Sequence, residues 1–374
     1  RTYKRLVNVS ITERDLNNDV LLAWSFPSSC QELDSIIRKR SKIDNKNIDH
    51  PSFLWTRYHQ NWLYILPCAV GQNDKALGSE ITRFVVALQC KDFDPEKYSS
   101  LCEVLAKIYK STASTVRVVE AYLSVFATGQ CEPINASSKF DVADYTKTDP
   151  LQHVDVLDLV RKFSANTVLI WAAMLMKKRV LVYSSNATLV LKMIRALPAL
   201  VWHRKDWSVM QPLVEGDEED AGAVCSGTTE HLAHRADLFD LWVDVDAATV
   251  TPTAAAKEDF LLTSVHRDVA GLLSRAAASP DAADAPLVAE VEAKTRELLN
   301  KLRTLAEQED SGLLSRQALY DQLPNRALAR FLFNVALAEG LADLGADADD
   351  LVACCDDDDD APGPHPAAEE GEGE

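Results

Sequence analysis

The polar residues with the most distinctive spacing lie between two tryptophans. Trp202 and Trp207 are five residues apart and bracket four polar residues: His203, Arg204, Lys205 and Asp206. Because each tryptophan can bury a large apolar ring, the pair predicts a packed corner between a helix and a strand. Rigid loops between core elements are common binding sites, so the residues between the rings are candidates for partner binding. A structural role and a functional role can hold together here.

A run of basic residues gives a second candidate surface. Residues 161–205 include nine Lys and Arg and no Asp or Glu, and three of the bases are consecutive: Lys177, Lys178 and Arg179. This bias predicts a local positive field, suited to an acidic protein surface or an anionic membrane. The alternative is a solvated rim whose acidic partners are distant in sequence and near in space. Nucleic acid is disfavoured, because no aromatic-interleaved basic motif or zinc knuckle accompanies the run.

Motifs of covalent chemistry and cofactor binding are missing from the sequence. It has no G-x-x-x-x-G-K-[ST], no G-x-G-x-x-G, no G-x-S-x-G and no H-E-x-x-H. His231 and His234 have the spacing of two metal ligands on one helix face, but the polar segment around them favours a solvated loop. We therefore predict no catalytic residue, no cofactor and no metal site. The motifs give no support to a hydrolase, a transferase or an oxidoreductase.

The net charge of −18 is concentrated at the C-terminus. Residues 343–374 hold 13 acidic residues and no Lys or Arg, so the other 342 residues carry 44 acids and 39 bases, a net charge of −5. Residues 347–374 are predicted to be a disordered acidic tail, which either solubilises the protein or recruits a basic partner. Eight cysteines without a C-x-x-C pair predict reduced thiols and a cytoplasmic protein. The longest uncharged apolar run, residues 168–176, is shorter than the roughly 20 residues that span a bilayer.

The elements that would position these residues follow from periodicity. In residues 1–130 apolar and aromatic runs predict strands at 6–11, 20–26, 53–59, 62–70 and 81–90, and helices at 31–38, 95–109 and 115–126. Asp94 and Pro95 are the expected N-cap and first residue of the second helix. Five strands with helices on one face make an α/β layer, with the element order of a longin module. Residues 131–152 are polar and are predicted to be a linker.

Residues 153–252 give a second α/β unit. Its predicted elements are a helix at 155–163, a buried helix or strand at 168–176, a buried strand at 180–183, a helix at 188–197 and strands at 207–213 and 238–245. Strands that alternate with helices predict a mostly parallel sheet. Residues 253–346 show only helical spacing, with three helices whose apolar positions run from 260 to 272, from 288 to 302 and from 328 to 335.

Residues 157–213 resemble the central part of a DENN domain. The similarity lies in an apolar helix, the strand Lys-Lys-Arg-Val-Leu-Val-Tyr-Ser at 177–184, a helix that ends Leu-Pro-Ala-Leu at 197–200, and the strand led by Trp207. Residues 237–246 are similar to the last strand of that domain. The resemblance implies an N-terminal longin module, a central α/β module and a C-terminal helical module.

The resemblance also implies a function. DENN proteins typically act as guanine-nucleotide exchange factors for Rab small GTPases, and exchange needs a shaped surface and no covalent chemistry. We therefore expect a Rab regulator in late-endosomal trafficking, cytoplasmic and recruited to membranes through its partners. The alternative is a structural subunit of a Commander-type endosomal recycling assembly. A hydrolase or transferase on an unrecognised fold is the least supported hypothesis, and nucleic acid is not an expected partner.

Overall fold

The computed structural model describes residues 5–45, 52–71, 74–78, 80–132, 139–146, 149–216 and 222–343. The chain divides into two compact units, Arg1–Asn300 and Lys301–Glu374. The predicted acidic tail, residues 347–374, lies outside the described residues.

The first sheet is antiparallel and has five strands. They are β1 (Leu6–Asp15), β2 (Val20–Phe26), β3 (Leu54–Tyr58), β4 (Asn61–Ala69) and β5 (Ile81–Cys90). The strand order is β2-β1-β5-β4-β3. All five predicted strands are confirmed, and the aromatic hairpin of β3 and β4 pairs Trp55 with Tyr64. The strand predicted at 6–11 extends to Asp15, because its polar second half pairs with β2 and β5.

Three helices accompany this sheet: α1 (Gln31–Ser41), α2 (Pro95–Thr112) and α3 (Thr115–Thr128). The predicted cap of α2 is confirmed, since the Asp94 side chain accepts a hydrogen bond from the backbone N–H of Lys97. Tyr98 and Tyr109 of α2 pack on Tyr64 and Phe84 of the sheet, with ring centroids 4.7 and 5.2 Å apart. Aromatic side chains therefore form much of the core between α2 and the sheet.

One side of this module is left with exposed apolar side chains. No residue of the edge strand β2 is fully buried, and Phe26 is 38% exposed. The Phe26 ring lies 6.1 Å from that of Tyr122 in α3. On the same helix Leu123 and Phe126 are 42% and 43% exposed. Apolar surface that is grouped in this way is typical of an interaction site.

The second sheet contains the predicted parallel strands and two that the sequence did not predict. After a short hairpin, β6 (Gln130–Cys131) and β7 (Phe140–Asp141), come α4 (Val156–Phe163), α5 (Thr167–Leu175), β8 (Val180–Tyr183), α6 (Ala187–Ala196), β9 (Met210–Gln211), β10 (Val224–Gly227), β11 (Leu241–Asp244) and β12 (Thr249–Pro252). The order is β12-β11-β8-β10-β9. β8 pairs in parallel with β10 and with β11, and only β12 is antiparallel.

Several predicted elements of this region need correction. The apolar run at 168–176 is the helix α5, with nearly every side chain buried. The strand predicted at 207–213 is only Met210–Gln211, because Pro212 lacks an N–H and Leu213 has a left-handed φ of 59°. The strand predicted at 238–245 is shortened to Leu241–Asp244. The strands β10 and β12 were missed.

The remaining elements are helical, as predicted. They are α7 (Ser264–Ala278), α8 (Asp284–Ala306), α9 (Arg316–Gln322) and α10 (Arg326–Ala338). The first begins later than predicted, because Leu261 is extended and Thr263 forms a capping box with His266. The short helix α9 was not predicted. Within the parts of the chain that the structure describes, no helix combines the length and the apolarity needed to cross a membrane.

Candidate functional site

Two turns bring the predicted site residues together at the amino ends of β8 and β10. The first turn leads from α5 to β8, and Lys177 adopts a left-handed φ of 52° in it. The second is a 3-10 segment, Pro198–Arg204, which follows α6 and is kinked at Val201. It ends at Lys205, whose φ is also left-handed, at 50°. Because the backbone reverses direction at both turns, the two basic segments lie at the same end of the sheet, where β8 and β10 begin.

The predicted tryptophan corner is confirmed. The ring centroids of Trp202 and Trp207 are 5.2 Å apart, and Trp202 is 9% exposed. Trp207 also lies 5.3 Å from the ring of Phe93, which precedes α2. The corner therefore packs on the module of the first sheet and is held in place by aromatic contacts.

Arg204, a candidate for partner binding, is directed at the end of α5 and not into solvent. Its guanidinium donates hydrogen bonds to the carbonyl oxygens of Met174 and Leu175, at 2.6 and 2.7 Å. These carbonyls belong to the C-terminal end of α5, where backbone acceptors lack partners inside the helix. Arg204 is half-buried and fastens the corner to α5. A positive charge at this position is also favoured by the helix dipole.

Two of the three consecutive bases have acidic partners that are distant in sequence. Lys178 Nζ lies 2.6 Å from Asp259 Oδ2, and Arg179 lies 3.0 Å from Asp240 Oδ1. The hydrogen bond to Asp240 raises the pKa of Arg179. For these two residues the alternative of a paired, solvated rim describes the geometry. Lys177 is exposed.

A cavity of about 290 Å³ lies between the two turns. Four of the seven predicted residues line it: Lys177, Lys178, Arg204 and Asp206. Its other lining residues are Met174, Pro198, Val201, Val209, Ala223 and Val224. Arg179, His203 and Lys205 are not among the lining residues. The structure thus brings most of the predicted set together around an apolar cavity that the sequence did not reveal. We call it the amino-end cavity.

A larger cleft, of about 740 Å³, lies at the carboxyl ends of β8 and β10. We call it the carboxyl-end cleft. The module of the first sheet contributes Lys39, Arg40 and Lys42 at the end of α1, together with Ser52 and Leu54. The second sheet contributes Tyr183, the turn at 185–188, the segment 213–215 and the turn at 228–230. Sequence reasoning missed this cleft, although it did predict the buried strand at 180–183 and the helix at 188–197 on either side of the turn.

Polar contacts fix the walls of the carboxyl-end cleft. Arg40 and Glu215 form an ion pair of 2.8 Å across it. Asn186 caps α6 by accepting from the N–H groups of Thr188 and Leu189. Asp246 accepts from the N–H of Ser185 and from Ser184 Oγ, at 2.7 Å each. These hydrogen bonds, above all the one from the backbone of Ser185, lower the pKa of Asp246.

The described residues show no cluster of three or more His, Cys, Asp or Glu that could hold a metal ion. His231 and His234 lie in a 3-10 segment with ring centroids 6.2 Å apart.

The chain has curated relatives along nearly its whole length, although no family model matches it. It is 30% identical over 347 residues to DENN domain-containing protein 10 of Danio rerio, covering 91% of this chain and 99% of that protein. The protein of that name from Dictyostelium discoideum is 32% identical over 358 residues, covering 89% and 97%. The one from Homo sapiens is 29% identical over 345 residues, covering 89% and 96%.

The two-sheet α/β architecture with a helical C-terminal region, together with these matches, defines a DENN-type protein. The chain belongs to the DENN domain family, among the relatives named DENN domain-containing protein 10. The resemblance seen at residues 157–213 is confirmed.

Proposed function

We propose that this protein regulates a Rab small GTPase, as a guanine-nucleotide exchange factor or a closely related regulator. The observation that carries the proposal is the match to DENN proteins over about 90% of the chain. Exchange factors bind the GTPase and weaken its affinity for nucleotide and Mg²⁺. They require a shaped surface and no nucleophile or general base.

The carboxyl-end cleft is the surface that suits a folded partner best. In open α/β sheets, ligands bind outside the carboxyl ends of the strands, where connections leave to opposite sides of the sheet. The carboxyl-end cleft lies at that end of β8, β9 and β10, since Tyr183, residues 213–215 and residues 228–230 line it. Both modules contribute walls to it, which allows one partner to be held from two sides.

Location follows from the same proposal. We propose that the protein is cytoplasmic and that its partners recruit it to late endosomes. Its membrane association is then peripheral and depends on those partners. The longin assignment of residues 1–130 belongs to this proposal as well, because the five-stranded antiparallel sheet with α1 to α3 has the expected element order.

A second candidate function is that of a structural subunit in a Commander-type endosomal recycling assembly. The exposed apolar side chains on β2 and α3 favour it, since Phe26, Leu123 and Phe126 are each more than a third exposed. A scaffold must contact several partners, and this apolar surface can supply one of those contacts.

Release of labelled GDP from a panel of Rab GTPases, with and without the full chain, tests the first function. We expect acceleration with one Rab or a few related ones. Thr229→Arg places a bulky side chain at the exposed mouth of the carboxyl-end cleft, and we expect it to reduce the acceleration at least tenfold. The matched control is Ala127→Arg on the exposed face of α3, which leaves the cleft unchanged.

The outcome of this assay separates the two functions. Acceleration that Thr229→Arg leaves intact contradicts the placement in the cleft. No acceleration with any Rab contradicts exchange activity. Loss of binding to endosomal assembly subunits on Phe126→Asp, with GDP release absent throughout, would favour the structural subunit.

A further inference from the structure

The amino-end cavity combines an apolar interior with a cationic rim, and the proposed GTPase regulation at the opposite end of the sheet does not use it. We propose that this cavity binds an acidic linear segment of a partner protein, with one apolar side chain of that segment inserted between Val201, Val209 and Val224.

The walls of the cavity are apolar and already formed. Met174, Val201 and Val224 are 4%, 3% and 1% exposed, so they belong to the packed core and not to a mobile surface. Val201 is held at the kink of the 3-10 segment, next to the tryptophan corner. The volume of about 290 Å³ lies at the small end of the range for ligand pockets. It suits one anchoring side chain, and a few buried anchors carry most of the energy in protein recognition.

The charged residues at the rim of the cavity favour a negatively charged ligand. Lys177, Lys178 and Arg204 line the cavity together with a single acid, Asp206. Lys178 also forms an ion pair with Asp259, and the side chain of this lysine is 28% exposed. With both acids counted, the rim keeps an excess of one positive charge, and the exposed Lys177 provides it.

Asp206 carries a negative charge at the rim that would repel an acidic ligand, and neighbouring groups partly offset that charge. Its carboxylate accepts a hydrogen bond of 2.8 Å from the N–H of Ser208. Arg57 donates a hydrogen bond to the carbonyl oxygen of Ser208, two residues from Asp206. Burial lowers the pKa of Arg57, and the charge of Asp206 acts in the opposite direction. The field that reaches the mouth of the cavity is therefore dominated by the bases.

The shape of the site favours a peptide over a lipid surface. A bilayer presents a flat array of headgroups, whereas here the bases surround a concavity whose interior is apolar. A peptide that alternates acidic and apolar residues can place carboxylates on the rim and an apolar side chain inside. Recognition of acidic motifs by basic clusters is a recurring mode of peptide binding.

The test is fluorescence anisotropy with a fluorescein-labelled nine-residue peptide that has one leucine between glutamates. It is added to the full chain at low ionic strength. We expect saturable binding that weakens as salt is raised, because the rim charges are partly exposed and are screened. A peptide with serine in place of the leucine is expected to bind at least fivefold more weakly.

Two variants and one control locate the binding. Lys177→Asn removes the charge and keeps the left-handed backbone, which asparagine tolerates, so the fold is retained. We expect at least fivefold weaker binding. Lys91→Asn removes the same charge at an exposed position that does not line the cavity and is expected to alter binding less than twofold. Val209→Ser is expected to weaken the leucine peptide and leave the serine peptide unchanged.

Four outcomes overturn the proposal. The first is that no binding of the leucine peptide is seen up to millimolar concentration. The second is that Lys177→Asn and Lys91→Asn have equal effects. The third is that leucine and serine peptides bind equally, which would make the contact a purely electrostatic one. The fourth is that phosphatidylserine vesicles bind in a Lys177-dependent manner while the peptide does not, which would assign the rim to a lipid.

Discussion

The amino-end cavity and the carboxyl-end cleft lie at opposite ends of the same strands and are built differently. Residues 174–224 form all of the cavity, so its shape depends on one helix end and one corner. The cleft takes residues from α1 and β3 as well as from the second sheet. Its shape depends on contacts between the modules, such as the hydrogen bond from Thr56 Oγ1 to the carbonyl of Pro212 at 2.6 Å.

This difference separates a local site from a composite one. A change at the tryptophan corner should act on the cavity directly, because all the residues that line the cavity lie between positions 174 and 224. A change at the cleft can act through either wall.

Trp202→Ala should have the largest effect. The ring is almost fully buried against Trp207, so truncation removes apolar contacts and leaves a cavity. We expect a loss of about 3–5 kcal/mol in the free energy of unfolding, measured by urea denaturation. Trp202→Phe should retain much of the stability. A loss below 1 kcal/mol for the alanine variant would show that the corner does not depend on this ring.

Arg204→Ala should lower the free energy of unfolding by about 2 kcal/mol, because it removes two charge-assisted hydrogen bonds to the end of α5. Arg204→Lys should restore part of the loss, since an ammonium group cannot reproduce the forked geometry. Arg179→Ala is the comparison, because its ion pair with Asp240 is 44% exposed on the arginine side. We expect that change to stay within about 1 kcal/mol. Equal losses for the two alanine variants would contradict the anchoring role of Arg204.

Asp246→Asn tests the carboxyl end and should depend on pH. The folded-state pKa of Asp246 lies below its usual value of 3.8, so the ionised form stabilises the fold. That stabilisation is present above the unfolded-state pKa and is lost as pH falls through the folded-state pKa. Thermal unfolding near neutral pH should show the variant less stable by about 1 kcal/mol, with the gap closing in acid. A gap that stays constant down to about pH 3 would exclude this linkage.

Ala248→Gly should have the smallest effect and the opposite sign. Ala248 has a left-handed φ of 55° in the turn between β11 and β12, where glycine is free of strain. We expect a gain of about 0.5 kcal/mol, after the greater entropy of the unfolded glycine chain is subtracted. Ala247→Gly, one residue earlier and not left-handed, should instead lose stability. Urea denaturation of both variants checks the sign of each change.

The first sheet was predicted nearly in full, because its strands carry long aromatic and β-branched runs. β10 was missed for a physical reason. Its sequence ends in Ser226 and Gly227, and the glycine is required by packing. A Cβ at position 227 would lie 2.2 Å from Leu232 Cδ1 and 2.7 Å from the carbonyl oxygen of Val214. Packing therefore requires a glycine at this position, and β10 lacks there the β-branched or aromatic residue that would indicate a strand.

The sites show a similar division. The tryptophan pair predicted the corner, because a packed turn can bury two large apolar rings that are five residues apart. The direction of Arg204 was not predictable, since its acceptors are backbone carbonyls, which every residue carries. The carboxyl-end cleft is assembled from separate segments between Lys39 and Glu230, and no local pattern indicates that they meet.

The central position of β8 has a consequence for synthesis of the chain. All strands of the first sheet are complete at Cys90, whereas β8 ends at Tyr183 and its partners begin only at Val224 and Leu241. At about 5–20 residues per second, the ribosome needs about 3–12 s to reach the second partner. Throughout that interval the apolar segment Val180–Tyr183 has no partner on its β11 side. The rate of translation across residues 184–240 therefore determines how long the nascent protein must be protected from aggregation.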